Sequence, residues 1–219
     1  MTTHINTQPL HLIFDFDGVI ADGLESDFLA FEKVLATTGM SKDDISKQFW
    51  EYYDQPTHSK SHNLTEEQFQ IRLKKCINVA NFRLTKSNNL FVGFLNQILN
   101  LKNVRLAIVS SSSTQFVLPV LGDYSSYFDY VFGFEQSHSK EEKISIICDN
   151  WKTNESNVFY FTDTKTDIIE LQDYMNKSKI IGCAWGYQGY NKLAQLLPGN
   201  QILKNFSDIN KVLDTQIQR

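Results

Sequence analysis

The chain has 219 residues, 42% hydrophobic and 21% charged, with a formal net charge of -4, a composition that can bury a sizeable core in one domain or in one domain carrying a smaller insertion. No block of Lys and Arg stands out, which excludes the electrostatic footprint of a nucleic-acid binder. No apolar run approaches the ~20 residues of a membrane span, and no basic segment followed by an apolar run marks a secretion signal, so the cytoplasm is the expected location.

In chain order, Leu10 to Phe14 is a short apolar run that stops at Asp15 and is punctuated by Gly18, the pattern of a buried strand. From about Leu24 to Lys86 helical periods replace strands. Leu24, Phe28, Phe31 and Leu35 share one face, and Ile45, Phe49 and Tyr53 share another. Thr65 and Gln68 predict the capped start of a third helix with a stripe of Phe69, Leu73, Cys76, Ile77 and Ala80. Gln55 to Asn63 reads as a polar loop between helices. Leu90, Phe91, Phe94, Leu95, Ile98 and Leu99 predict a further helix. Val104 to Val109 predicts a strand ending in serines, with a weaker strand at Tyr130 to Phe132. Ser139 and Glu142 form a capping-box spacing before the stripe Ile144, Ile147, Cys148 and Trp151. Val158 to Phe161 and Lys179 to Ala184 predict two more strands, with a weaker one at Gln201 to Leu203, and Ile168, Ile169 and Leu171 open the helix between the first two. Alternating strands and helices predict a three-layer α/β core with a parallel, Rossmann-like sheet. The interruption divides the chain into a core of residues 1–21 and 87–219 and a helical cap of residues 22–86.

Ligands of an open parallel sheet bind outside the carboxyl ends of its strands. Those ends here carry Asp15 and Asp17, Ser110 and Ser111, and Asp163 and Asp167. Four carboxylates brought together repel one another unless a cation compensates, and hard oxygen ligands select Mg²⁺. Cys76, Cys148 and Cys183 are spaced too widely for a zinc site and read as inert thiols.

IFDFDGVI at Ile13 to Ile20, VSS at Val109 to Ser111, Lys140 at a helix start and TDTKTD at Thr162 to Asp167 occur in one order, and that ordered set resembles the four motifs of the haloacid dehalogenase superfamily. The resemblance covers nearly the whole core. It departs from the common pattern at Thr162, where many members have Gly, and at Glu141, where many have Pro. An aspartate two residues after the nucleophile position is similar to the phosphatase and phosphomutase branches, not to the dehalogenases. The resemblance implies a Mg²⁺-dependent phosphatase acting on a small phosphorylated metabolite through an aspartyl-phosphate. Asp15 would be the nucleophile and Asp17 the general acid and base. The metal would sit between Asp15, the backbone carbonyl of Asp17 and Asp163, with Asp167 orienting metal-bound water or the lysine. Ser110, with Ser111 and the backbone near Gly18, would bind phosphoryl oxygens, and Lys140 would neutralise their charge. A sugar phosphomutase and a scaffold kept for binding or regulation remain the alternatives, and either a monomer or a homodimer is compatible. With Ser139 as N-cap, Lys140 falls over the open helix end, and the rival Lys143 is expected along the helix flank at the surface. In the cap, Trp50, Tyr52, Tyr53, His58, Lys60, His62 and Arg72 are the candidates for substrate contact.

Overall fold

The computed structural model describes residues 8–54 and 65–217. Its strands in chain order are β1 (Leu10–Phe14), β2 (Ala21–Asp22), β3 (Asn89–Leu90), β4 (Val104–Val109), β5 (Tyr130–Phe132), β6 (Val158–Thr162), β7 (Ile180–Cys183) and β8 (Ile202–Leu203). Six of them form one parallel sheet in the order β5-β4-β1-β6-β7-β8. The central strands β1 and β6 are covered on both faces, which is why they read as continuous apolar runs and not as alternating ones. Side chains still alternate along them. Leu12, Phe14 and Phe161 pack with α4 (Val92–Leu99), α5 (Thr114–Leu121) and α9 (Ile209–Ile217) on one face. Ile13 and Tyr160 pack with α6 (Lys140–Trp151), α7 (Lys165–Leu171) and α8 (Gly189–Leu193) on the other.

The segment between β2 and β3 is helical: α1 (Leu24–Leu35), α2 (Lys42–Asp54) and α3 (Glu66–Arg83). Phe49 of α2, 1% exposed, fills its centre and meets the rings of Phe28, Phe31 and Tyr53 edge-on. The α3 start carries a complete capping box, Thr65 and Gln68 each accepting the other's backbone N–H. At α6, Ser139 does accept from the Glu142 N–H, but the Glu142 carboxylate takes the Ser137 hydroxyl instead of closing a box.

The chain leaves and re-enters the core through β2 and β3, an antiparallel ribbon in which Ala21 faces Leu90 and Asp22 faces Asn89. This corrects the helix boundary expected at Leu90. Leu90 is spent on the ribbon, so α4 starts at Val92. The three helices lie over the carboxyl ends of the sheet. The Tyr53 carbonyl, at the end of α2, accepts from Thr166 Oγ1 at 2.7 Å and Gln188 Nε2 at 3.0 Å. Lys192 pairs with Asp54 at 2.6 Å, and Phe69 of α3 stacks on Phe134.

Candidate active site

The sheet brings the sequence-predicted carboxylates together because β1 and β6 are hydrogen-bonded neighbours that end level with one another. Asp15 follows β1, and its N–H donates to the Phe161 carbonyl of β6 at 2.9 Å. Asp163 follows β6 and is fully buried. Ser110 follows β4, the neighbour on the other side, and is 1% exposed.

Lys140 joins the cluster from the first turn of α6. Its ammonium donates to Asp15 Oδ2 at 2.8 Å and to Asp167 Oδ2 at 2.6 Å. Asp167 is held in turn by the hydroxyls of Thr162 at 2.8 Å and Tyr160 at 3.1 Å. The departure from Gly at Thr162 therefore supplies a hydrogen bond that glycine has no atom to make. Despite its burial, Asp167 is held below the usual carboxylate range by Lys140 and the Thr162 hydroxyl. Asp15 is pushed up to about 7 by burial, which outweighs the opposing pull of Lys140.

Asp163 is in a different condition. One oxygen accepts the Tyr187 N–H at 2.6 Å, while among the described residues Oδ1 has no hydrogen-bond partner. Burial, then the Asp15 charge, raises its pKa well above the ordinary value. Backbone closes tightly around it. Gly18 has φ +73°, and a Cβ there would lie 1.9 Å from Asp163 Oδ2; one at Gly186 would lie 2.3 Å from Asp163 Cβ. An orphaned carboxylate oxygen beside a second carboxylate fits a divalent cation with oxygen ligands. No three His, Cys, Asp or Glu side chains among the described residues form a metal-holding group. A cation site on this cluster would draw on Asp15, Asp163 and backbone.

Asp17 faces the helical insert. Arg83, from the last turn of α3 and 2% exposed, spans both of its oxygens, with Nη1 to Oδ2 at 3.2 Å. Ser112 Oγ donates to Asp17 Oδ2 at 2.7 Å. The same guanidinium donates to Ser26 Oγ at 3.1 Å, lies 3.6 Å from Asp27 and sits 3.9 Å over the Phe116 ring. Sequence reasoning missed Arg83 and singled out Arg72 instead, which is exposed on α3 and meets His138 at 3.3 Å.

Lys143 overturns a second expectation. It does not lie on the helix flank at the surface but is fully buried, donating to the Ser110 carbonyl at 2.6 Å and lying 3.4 Å from that of Gly133. Burial, then the charge of Lys140, pushes it down to about 8. Glu170 caps the α6 start by accepting the Lys140 N–H at 2.9 Å, and burial pushes it up to about 7. Ser111 is exposed and lines the cavity in front of Asp15. Of the insert candidates, Trp50 and Tyr52 are 39% and 41% exposed, Tyr53 bonds Asp27 through its hydroxyl, and His58, Lys60 and His62 lie outside the described residues. Burial pushes the Cys76 thiol up to about 11, Cys148 and Cys183 are buried, and none of the three forms a disulfide. No helix among the described residues is long and apolar enough to cross a membrane.

Solved structures share this architecture. A predicted phosphatase from Clostridium acetobutylicum superposes with a TM-score of 0.68 at 19% identity, over 95% of this chain and 100% of that one. A predicted phosphoglycolate phosphatase from Haemophilus somnus 129PT gives 0.65 at 19% identity, over 95% and 99%. CbbY from Rhodobacter sphaeroides, solved in complex with phosphate, gives 0.64 at 13% identity, over 94% and 99%. Searching curated protein sequences returns no match. A family model described as haloacid dehalogenase-like hydrolase matches residues 12–173, a span that takes in the end of β1 with Asp15, β4 with Ser110, Lys140 and the turn from Asp163 to Asp167. With most of its length matched, the chain belongs to the haloacid dehalogenase-like hydrolases.

Proposed function

We propose that the protein is a Mg²⁺-dependent phosphomonoesterase that works through an aspartyl-phosphate on Asp15. The observation that carries this reading is the pairing of a buried, lysine-bound carboxylate, Asp15, with a second buried carboxylate, Asp163, whose Oδ1 lacks a partner among the described residues. Asp15, Asp163 and the Asp17 carbonyl would hold the cation. When bound, Mg²⁺ supplies the positive charge that offsets repulsion between a carboxylate nucleophile and a phosphate dianion.

The chain's own groups do the rest. An Asp15 carboxylate oxygen attacks phosphorus, forming the O–P bond as the ester O–P bond breaks. Asp17 gives its proton to the departing alkoxide, then takes one from the water that cleaves the aspartyl-phosphate, so the enzyme returns to its starting protonation. Lys140 holds Asp15 in place and offers its charge to the phosphoryl oxygens. Ser110 and the backbone near Gly18 would bind those oxygens, with Ser111 at their edge. Asp167 keeps Lys140 charged and aimed. Residues 22–86 would act as the cap over the core of residues 1–21 and 87–219, keeping bulk water from the reacting phosphate.

The test is Asp15→Asn, assayed with an aryl phosphate in Mg²⁺. Turnover should fall by at least ~10³-fold, since no nucleophile replaces the carboxylate. Turnover near wild type would overturn the assignment.

A further inference from the structure

The cavity in front of Asp15 is far larger than a phosphate group. It extends into the helical insert as an open cleft of about 690 Å³. Its walls there come from all three insert helices: Ala30, Phe31 and Val34 of α1, Phe49 of α2, and Val79 and Phe82 of α3. Two carboxylates meet one buried cation inside this recess, and two lysines stand at its mouth. Asp17 and Asp27 share a single guanidinium, Arg83, which is already bonded to Ser26 and lies on the Phe116 ring. Lys33 and Lys75 sit at the exposed mouth, with Lys33 over the Phe82 ring at 4.3 Å. A second negative charge on the leaving group would therefore meet the Asp27 carboxylate and an arginine already engaged by Asp17 and Asp27. An apolar group would meet apolar side chains, where burial is favourable in proportion to the area removed from water.

We propose that the substrate is a phosphate monoester of an uncharged alcohol bearing a bulky apolar group of about the size of an aromatic ring, and that carboxylated phosphate esters are poor substrates. The proposal rests on the phosphomonoesterase reading and names the substrate class of that same site.

Three esters of primary alcohols test it with the wild-type enzyme and Mg²⁺: 2-phenylethyl phosphate, ethyl phosphate and phosphoglycolate. Their leaving groups are closely matched in reactivity, so differences report recognition. The kcat/KM for 2-phenylethyl phosphate should exceed that for ethyl phosphate by at least about tenfold, and phosphoglycolate should fall below ethyl phosphate. Phosphoglycolate equal to or better than 2-phenylethyl phosphate would overturn the proposal and leave the phosphatase reading standing. Phosphate release from none of the three would overturn that reading itself. Val79→Lys places a cation in the recess, and the ratio of kcat/KM between 2-phenylethyl phosphate and phosphoglycolate does not depend on the amount of folded enzyme. That ratio should drop by at least about tenfold, and an unchanged ratio would count against the recess as the leaving-group site.

Discussion

A buried arginine between two carboxylates has two separable effects. Removing Arg83 leaves Asp17 and Asp27 without their cation, which destabilises the fold, and it would free Asp17 to leave the position from which it reaches a departing oxygen in the proposed mechanism. The second effect runs only through Asp17. Arg83→Met should lower kcat by at least about tenfold, yet on an Asp17→Asn background the same change should lower it by less than about threefold. Losses that multiply in the double variant would mean that Arg83 acts elsewhere. Lys143 allows a test of a different kind. Its folded pKa of about 8 lies below the 10.5 of an exposed lysine. Between those values the unfolded chain binds the extra proton, so stability should rise with pH across that window. The melting temperature of wild type should therefore gain on that of Lys143→Met between pH 8 and 10. A constant or shrinking difference would contradict the burial of this ammonium.

At the scale of elements, what the sequence made legible were features that end in the same place they begin. β1, β4 and β5 run over the residues their short apolar stretches mark out, and Asp15, Ser110, Lys140 and Asp163 each stand one step beyond or at the start of such an element. Arg83 gave no such signal. A basic residue in the last turn of a helix is what the helix dipole favours at any surface, and its burial depends on α3 returning to Asp17, 66 residues earlier in the chain. Lys143 was concealed in the same way, since the carbonyls that receive it belong to Ser110 and Gly133, on separate strand ends. The docking of α2 on the core was likewise unreadable, because it uses a backbone carbonyl. That docking has a measurable consequence. Asp54 meets Lys192 and Gln188 in half-exposed contacts, each worth roughly 0–1 kcal/mol. Asp54→Ala should loosen the insert without unfolding it, raising KM for a phosphate ester by about two- to fivefold while the melting temperature moves by less than ~2 °C. A KM unchanged by the substitution would show that this clasp plays no part in closing the site.

Across the whole molecule, the fold concentrates an electrostatic cost at one point, the level ends of β1 and β6. Asp163 is fully buried, with one oxygen bonded to the Tyr187 N–H and its pKa raised by burial and by Asp15. In metal-free solution that carboxylate is a liability to the fold, and asparagine should relieve it. The asparagine oxygen can keep the Tyr187 bond, while its amide can donate where Asp163 Oδ1 has no partner among the described residues. Asp163→Asn should accordingly melt at or above the wild-type temperature in chelator. Adding Mg²⁺ should then reverse the order. A cation bound only by the folded state stabilises it by RT ln(1 + [L]/Kd), about 2.7 kcal/mol at 100 Kd, and the variant lacks the charge that holds it. Ca²⁺ should also raise the wild-type melting temperature but support little turnover, because its larger and looser shell does not hold the attacking carboxylate and phosphate in line. A variant less stable than wild type in chelator would mean that Asp163 serves the fold without a cation, and an equal Mg²⁺ response in both proteins would place the metal elsewhere.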